Sequence, residues 1–174
     1  MKITRRELLV GVGAASAWLA IPRLRARASD GWALPEVTRR ALRASPFVYV
    51  SPLRSDGSES TCHAEVWYFW DGDAVVLSTS AKTWKARARA SGLERARLWV
   101  GDRGRGQKGP SGSFREAPTF LARVTLDTDD AVFERLLSAY ARRYPKEWGK
   151  WEPRFRSGRL DGTRVTLRYT PIGP

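Results

Sequence analysis

Residues Glu59-Ser60-Thr61-Cys62-His63-Ala64-Glu65-Val66-Trp67-Tyr68-Phe69-Trp70 alternate with a period of two. One parity, Ser60, Cys62, Ala64, Val66, Tyr68 and Trp70, is small or apolar, as the interior of a barrel requires. The other parity, Glu59, Thr61, His63, Glu65, Trp67 and Phe69, runs from polar to aromatic. Side chains of a strand point alternately to its two faces, so the pattern predicts one long, bent strand with a buried face and a functional or interface face. Upstream, Ser55-Asp56-Gly57-Ser58 is a hairpin turn that joins it to a strand at Phe47-Val48-Tyr49-Val50-Ser51. Downstream, Asp71-Gly72-Asp73 turns the chain into a third strand, Ala74 to Thr79.

The remaining elements follow from the same signals. Residues 34–44 read as a helix, with Pro35 and Glu36 suited to its first turn and Arg39, Arg40 and Arg43 to its end. A basic helix is expected from Lys82 to Ser91, closed by Gly92. Arg97 to Val100 and Thr119 to Leu126 are strands, separated by a Gly-rich basic loop from Gly101 to Ala117 that is expected to be mobile. Asp127-Thr128-Asp129-Asp130 caps an amphipathic helix bearing Val132, Phe133, Leu136, Leu137 and Tyr140, which ends at Tyr144-Pro145. Trp148, Trp151 and Phe155 suggest a short helix over the sheet, and Arg164 to Tyr169 a last strand. The expected order is α-β-β-β-α-β-β-α-α-β: a mainly β, α+β domain of about six antiparallel strands with flanking helices, and no internal repeat.

The N-terminus reads differently. Lys2, Arg5 and Arg6 precede an apolar stretch from Leu8 to Ile21, and Ala26-Arg27-Ala28 forms an A-x-A cleavage pattern before Ser29. Thr4-Arg5-Arg6-Glu7-Leu8-Leu9 resembles the twin-arginine (Tat) export consensus, and the apolar stretch, with Gly11, Gly13 and Ser16, is only mildly hydrophobic. Residues 1–28 are therefore expected to be a twin-arginine signal, recognised by the Tat translocase, which carries proteins already folded. Residues 29–174 are expected to be one exported, periplasmic or otherwise extracytoplasmic domain. An uncleaved membrane anchor is the alternative, but an apolar run of about 14 residues falls short of the roughly 20 that span a bilayer.

Charge and composition narrow the function. Of the formal net charge of +13, the first 28 residues hold six basic side chains and one acid, hence five units. The rest is mostly arginine, scattered along the chain, which suits a solvated surface or an anionic ligand better than nucleic acid. A single cysteine, Cys62, excludes an intramolecular disulfide and a cysteine cluster for zinc or iron–sulfur. His63 is the only histidine and no G-x-S-x-G elbow is present, so a serine hydrolase triad has little to build on.

One junction carries chemistry: Leu77-Ser78-Thr79-Ser80-Ala81-Lys82-Thr83-Trp84-Lys85-Ala86-Arg87. A strand feeding a helix presents unpaired N–H groups to an anion. Ser78, Thr79, Ser80 and Thr83 add hydroxyls, while Lys82, Lys85 and Arg87 add charge. A solvated basic helix is the plain alternative. Together with Ser51-Pro52-Leu53-Arg54-Ser55-Asp56-Gly57-Ser58 and Glu65-Val66-Trp67-Tyr68-Phe69-Trp70-Asp71-Gly72, in this order and spacing, the junction resembles the flavin-binding split β-barrel proteins of the pyridoxamine 5′-phosphate oxidase-like group. The resemblance spans roughly Pro35 to Pro171.

The resemblance implies a split β-barrel, a homodimer, and a phosphate-bearing cofactor whose phosphate lies at the junction, with Lys85 and Arg87 as its basic pair. It places the flavin ring against the first hairpin and second strand at the dimer interface, where Arg54, Thr61, His63, Glu65 and Trp67 are the candidates by position. FMN is the implied cofactor and the 8-hydroxy-5-deazaflavin coenzyme F-420 the alternative. The implied activity is oxidoreduction of a small-molecule substrate, and catalytic side chains are not identified, since in such enzymes the cofactor carries the chemistry. The chain lacks the Arg-rich C-terminal end of the vitamin-making oxidases, so pyridoxine phosphate oxidation is not implied. The rival reading is a carrier of flavin or haem without turnover. For haem the sequence offers one histidine and no partner motif.

Overall fold

The computed structural model describes residues 32–103 and 112–173. The export signal expected at residues 1–28 lies outside the described residues, as does the middle of the Gly-rich loop. The elements are α1 (Glu36–Ala44), β1 (Val48–Pro52), β2 (Ala64–Val66), β3 (Phe69–Trp70), β4 (Val75–Ser80), α2 (Trp84–Ala90), β5 (Arg95–Val100), β6 (Thr119–Leu126), α3 (Asp130–Arg143), α4 (Pro145–Leu160) and β7 (Arg164–Ile172). The seven strands form one antiparallel sheet in the order β2-β1-β5-β6-β7-β4-β3.

That order forces curvature. β2 and β3 lie at opposite edges of the sheet, yet only Trp67 and Tyr68 separate them in the chain. A flat sheet of this width would span about 29 Å at about 4.8 Å per strand gap. The linking residues reach only about 10 Å. The sheet therefore curls until its edges meet, giving the α+β split barrel that was expected.

The single strand expected over Glu59 to Trp70 is not continuous, and the sheet gains a seventh strand as a result. Glu59 makes one isolated bridge to Leu53, β2 pairs with β1, and β3 pairs with β4 on the other edge. Period two survives through Trp67–Tyr68 because a barrel seam changes partners without reversing the pleat. Val66, Tyr68 and Trp70 do pack on the barrel core. Cys62, expected inside, is exposed. At the seam two tyrosines, Tyr140 of α3 and Tyr144 at the α3–α4 joint, replace the ladder. Tyr140 Oη donates to the Trp67 carbonyl at 2.8 Å, and the Tyr68 amide donates to Tyr144 Oη at 3.4 Å. Tyr144 in turn donates to the Pro46 carbonyl.

Alternation then sorts the core. Val48, Val50, Val75, Leu77, Leu98, Phe120, Ala122, Leu167 and Tyr169 fill the interior. On the outer face Val76 meets Val132, Phe133, Leu136, Leu137 and Tyr140 of α3 and Phe155 of α4. Asp129 Oδ1 caps α3 by accepting from Ala131 N at 2.8 Å and Val132 N at 3.3 Å, as the acidic run implied. The short helix expected around Trp148 is the longer α4, with Pro145 in its first turn. The loop expected from Gly101 to Ala117 ends in a 3-10 turn, Ser113–Glu116, whose Phe114 ring stacks on Tyr49 with centroids 4.9 Å apart.

Candidate functional site

The junction between β4 and α2 is built as its sequence suggested, with a shorter helix. α2 starts at Trp84, so Lys82 and Thr83 precede it rather than open it. With under two turns, α2 has little macrodipole to offer an anion, and the side chains carry the electrostatics. Thr83 Oγ1 does not cap the helix. It donates to the Ser80 carbonyl at 2.8 Å and lies 3.1 Å from Thr79 Oγ1. The Lys82 amide donates to Ser80 Oγ at 3.3 Å. Thr79 is buried, Ser78, Ser80 and Thr83 are half-buried, and Lys82 and Arg87 are exposed.

Lys85 is the exception among these cations. It is 6% exposed, and its Nζ lies 5.2 Å from the centre of the Trp84 ring. The stem of Lys85 is buried while its ammonium has no acidic partner among the described residues. Burial pushes its ammonium pKa down, and the nearby charge of Arg164 pushes in the same direction.

Arg164, at the start of β7, was not among the residues expected at the site. Its Nε donates to Ser78 Oγ at 3.3 Å and its Nη2 to the Ser78 carbonyl at 3.1 Å. Its guanidinium lies 4.3 Å from the centre of the Phe155 ring. It also has no acidic partner among the described residues, and burial lowers its pKa, partly offset by Tyr140. Gly158 of α4 makes its path possible. A Cβ at Gly158 would come within 2.4 Å of Arg164 Cγ and 2.7 Å of Cδ. A glycine inside a helix costs about 0.5–1 kcal/mol relative to alanine, and this close approach is its structural reason. Gly158, in an otherwise helical stretch, was the sequence signal that could have pointed to a crossing side chain.

Beyond Arg164 opens a cleft of about 220 Å³, lined by Trp67, Glu147, Trp151, Phe155 and Arg164. One face of Trp67 is already taken, because its ring stacks on Tyr144 at 4.1 Å with an interplanar angle of 5°.

The hairpin candidates are distributed differently. Arg54 is exposed and lines a separate cleft with Gly92, Glu94 and Arg123, and Thr61 is exposed before β2. Glu65 accepts a hydrogen bond from Tyr49 Oη at 3.0 Å, which places it beside the Tyr49–Trp99–Phe114 cluster. Burial and this partner raise the Tyr49 hydroxyl to about 12. Glu65 and Trp67, expected to share one face as a polar group beside an aromatic platform, thus belong to different clusters on either side of the seam. His63 is exposed, its ring 5.3 Å from that of Phe114. Among the described residues no cluster of three or more His, Cys, Asp or Glu could hold a metal. No helix there is long and apolar enough to cross a membrane.

No family model matches the chain, and no curated protein matches it in sequence. Solved structures do match in fold. An FAD-binding protein from Mesorhizobium loti aligns at 14% identity over 80% of this chain and 91% of that one, with a TM-score of 0.51. A protein of unknown function from Agrobacterium tumefaciens aligns at 17% identity over 80% of this chain and 55% of that one, with a TM-score of 0.53. A candidate pyridoxamine 5′-phosphate oxidase from Listeria innocua follows at 10% identity, 78% and 91% coverage, and a TM-score of 0.49. With its edges joined at Trp67–Tyr68 and α3 and α4 packed on its outer face, the chain has the split β-barrel fold that its sequence implied.

Proposed function

We propose that the chain binds a phosphate-bearing flavin-type cofactor, FMN or the deazaflavin F-420, at the β4–α2 junction and acts with it as an oxidoreductase on a small-molecule substrate. The observation that carries the reading is Lys85, a side chain only 6% exposed with no acidic partner among the described residues, in a fold shared with an FAD-binding protein. The residues suit a phosphate. Lys85 and Arg164 supply charge, Ser78, Ser80 and Thr83 supply hydroxyls, and exposed Lys82 and Arg87 add attraction at longer range. Thr79 braces Thr83.

A bound flavin supplies the hydride and electron transfer for which side chains have no equivalent. The protein's part is to bind, orient and shield. Trp67 and the cleft beyond Arg164 offer apolar surface that excludes water. Arg54, Thr61 and Glu65 belong to this proposal as contacts for a ring held where two copies of the chain meet in a homodimer. The domain is proposed to take up its cofactor in the cytoplasm, then leave through the Tat translocase. That order gives a folded-protein export route a purpose.

The test is the absorbance and mass spectrum of protein purified from the cytoplasm or after reconstitution. Absorbance between about 370 and 460 nm with a matching flavin mass is expected, given the chromophores such cofactors carry. No absorbance and no affinity for either cofactor sinks the reading. Reduction of the bound cofactor by a donor and reoxidation by an acceptor is expected of an enzyme, and its failure would leave a carrier. Arg5→Lys with Arg6→Lys is expected to strand the protein in the cytoplasm, and continued export would refute the route.

A further inference from the structure

We infer that the cleft between α1, β3 and the last turn of α3 is a second small-molecule site, which takes an aromatic carboxylate through Arg43 and Arg142. The inference is independent of the cofactor reading, because this cleft shares no lining residue with the β4–α2 junction or with the cleft at Trp67.

The cleft measures about 400 Å³, within the usual range for small-molecule sites. Its wall is made by covering a helix end. α1 stops at Ala44, and its last carbonyls need donors. Tyr68 shares its hydroxyl proton between the Leu42 carbonyl at 2.7 Å and the Ser45 carbonyl at 2.9 Å. Arg143 Nη1 donates to the Ser45 carbonyl and Nη2 to the Arg43 carbonyl, both at 2.9 Å. The Arg143 guanidinium lies 5.1 Å from the centre of the Tyr68 ring. These contacts tie the end of α1 to the end of α3, and they occupy Arg143 and the Tyr68 hydroxyl. Phe69 and Trp70, both half-buried, add flat apolar surface.

Arg43 and Arg142 complete the lining on different terms. Each is exposed, and neither pairs with an acid among the described residues. No acid lines the cleft among those residues either. Both helices do pair an arginine elsewhere: Arg39 of α1 with Glu36 at 2.6 Å, and Arg135 of α3 with Asp71 at 3.2 Å. The cleft therefore joins aromatic walls to two unpaired guanidiniums. A guanidinium fork matches a carboxylate with two parallel hydrogen bonds. The rings of Phe69 and Trp70 suit a flat aromatic body. The hydroxyl donors that make the β4–α2 junction suit a phosphate have no counterpart here, since the Tyr68 hydroxyl is already bonded.

The experiment is a calorimetric titration of the full chain with 2-naphthoate, against its uncharged amide and the cationic 2-naphthylmethylammonium. The acid is expected to bind about 10-fold more tightly than the amide, and the ammonium most weakly. Arg43→Gln and Arg142→Gln are each expected to weaken the acid about 5-fold, as exposed charge pairs do, and to leave the amide unchanged. Both positions are exposed, so the variants keep the fold. Arg40→Gln removes the same charge from an exposed position of α1 outside the cleft, and is expected to change nothing. The inference is overturned if the acid does not bind, if it binds no better than the amide, or if Arg40→Gln weakens it as much as the cleft variants do. Loss of binding in Arg164→Met alone would place the acid in the cleft at Trp67 and overturn it too. Each of these results leaves the cofactor reading untouched, and failure of flavins to bind leaves this inference untouched.

Discussion

Arg164, half-buried, and Arg168, buried, lie on the same face of β7, and their surroundings are opposite. Arg168 is 5% exposed and held by three carboxylates: Asp127 at 2.7 Å, Asp71 at 2.6 Å and Asp73 at 3.2 Å. Burial alone would lower its pKa, but the hydrogen bonds it donates to Asp127 and Asp71 outweigh it and raise the value. Arg164 has a serine, a ring and a second cation nearby, and its pKa is lowered. Among the described residues three carboxylates pair with Arg168 and none pairs with Arg164 four residues away, which supports the proposal that Arg164 faces a ligand.

The comparison breaks most sharply at Arg168. Arg168→Met leaves the fully buried Asp127 and the mostly buried Asp71 without their cation, and is expected to cost about 3–5 kcal/mol of stability. Urea unfolding checks it, and a loss below about 1 kcal/mol would make the network dispensable. Arg164→Met, in contrast, is expected to leave the cofactor-free protein within about 1 kcal/mol of the parent, because it removes a half-buried charge that no acid among the described residues neutralises.

Lys85 sharpens the contrast through pH. Its folded pKa is depressed by burial and then by Arg164, while the unfolded side chain keeps its proton to about pH 10.4. Between those two values the unfolded state holds more protons, so this group makes stability rise with pH. Tyr144, which burial raises to about 12, acts oppositely above pH 10, since only its unfolded form ionises there. The difference between the parent and Lys85→Met isolates the lysine. In cofactor-free protein that difference is expected to shrink as pH rises toward the ordinary lysine range, and a flat difference would mean Lys85 is compensated.

The smallest effect expected is a coupling. Each of Lys85→Met and Arg164→Met relieves the same repulsion, so the double variant should gain less than the sum, by about 0.5–1 kcal/mol. Strict additivity in a double-mutant cycle would place the two charges too far apart to share a ligand.

Much of the frame was legible because it depends on neighbours in sequence. Short apolar runs set off by turn signals placed β1, β4 and β6, and Asp129 announced the cap of α3. The junction from Ser78 to Lys85 was legible for the same reason, as a strand meeting a helix amid hydroxyls and cations. The seam at Trp67–Tyr68 was hidden, because pairing with β1 on one side and β4 on the other is decided by distant strands while the local alternation runs on unchanged. The roles of Arg164 and Arg168 were hidden as well. Arg-Val-Thr-Leu-Arg looks the same at both ends, and what separates them arrives from Asp71, Asp73 and Asp127 for one and from Gly158 and Phe155 for the other.

Thermal unfolding of Arg164→Met with and without FMN tests the central contrast most directly. The account predicts that without FMN the variant melts close to the parent temperature, and that it loses most of the upward shift FMN gives the parent. A variant that melts well below the parent without FMN, or that keeps the full shift with it, would show that Arg164 is structural like Arg168 and that the phosphate seat lies elsewhere.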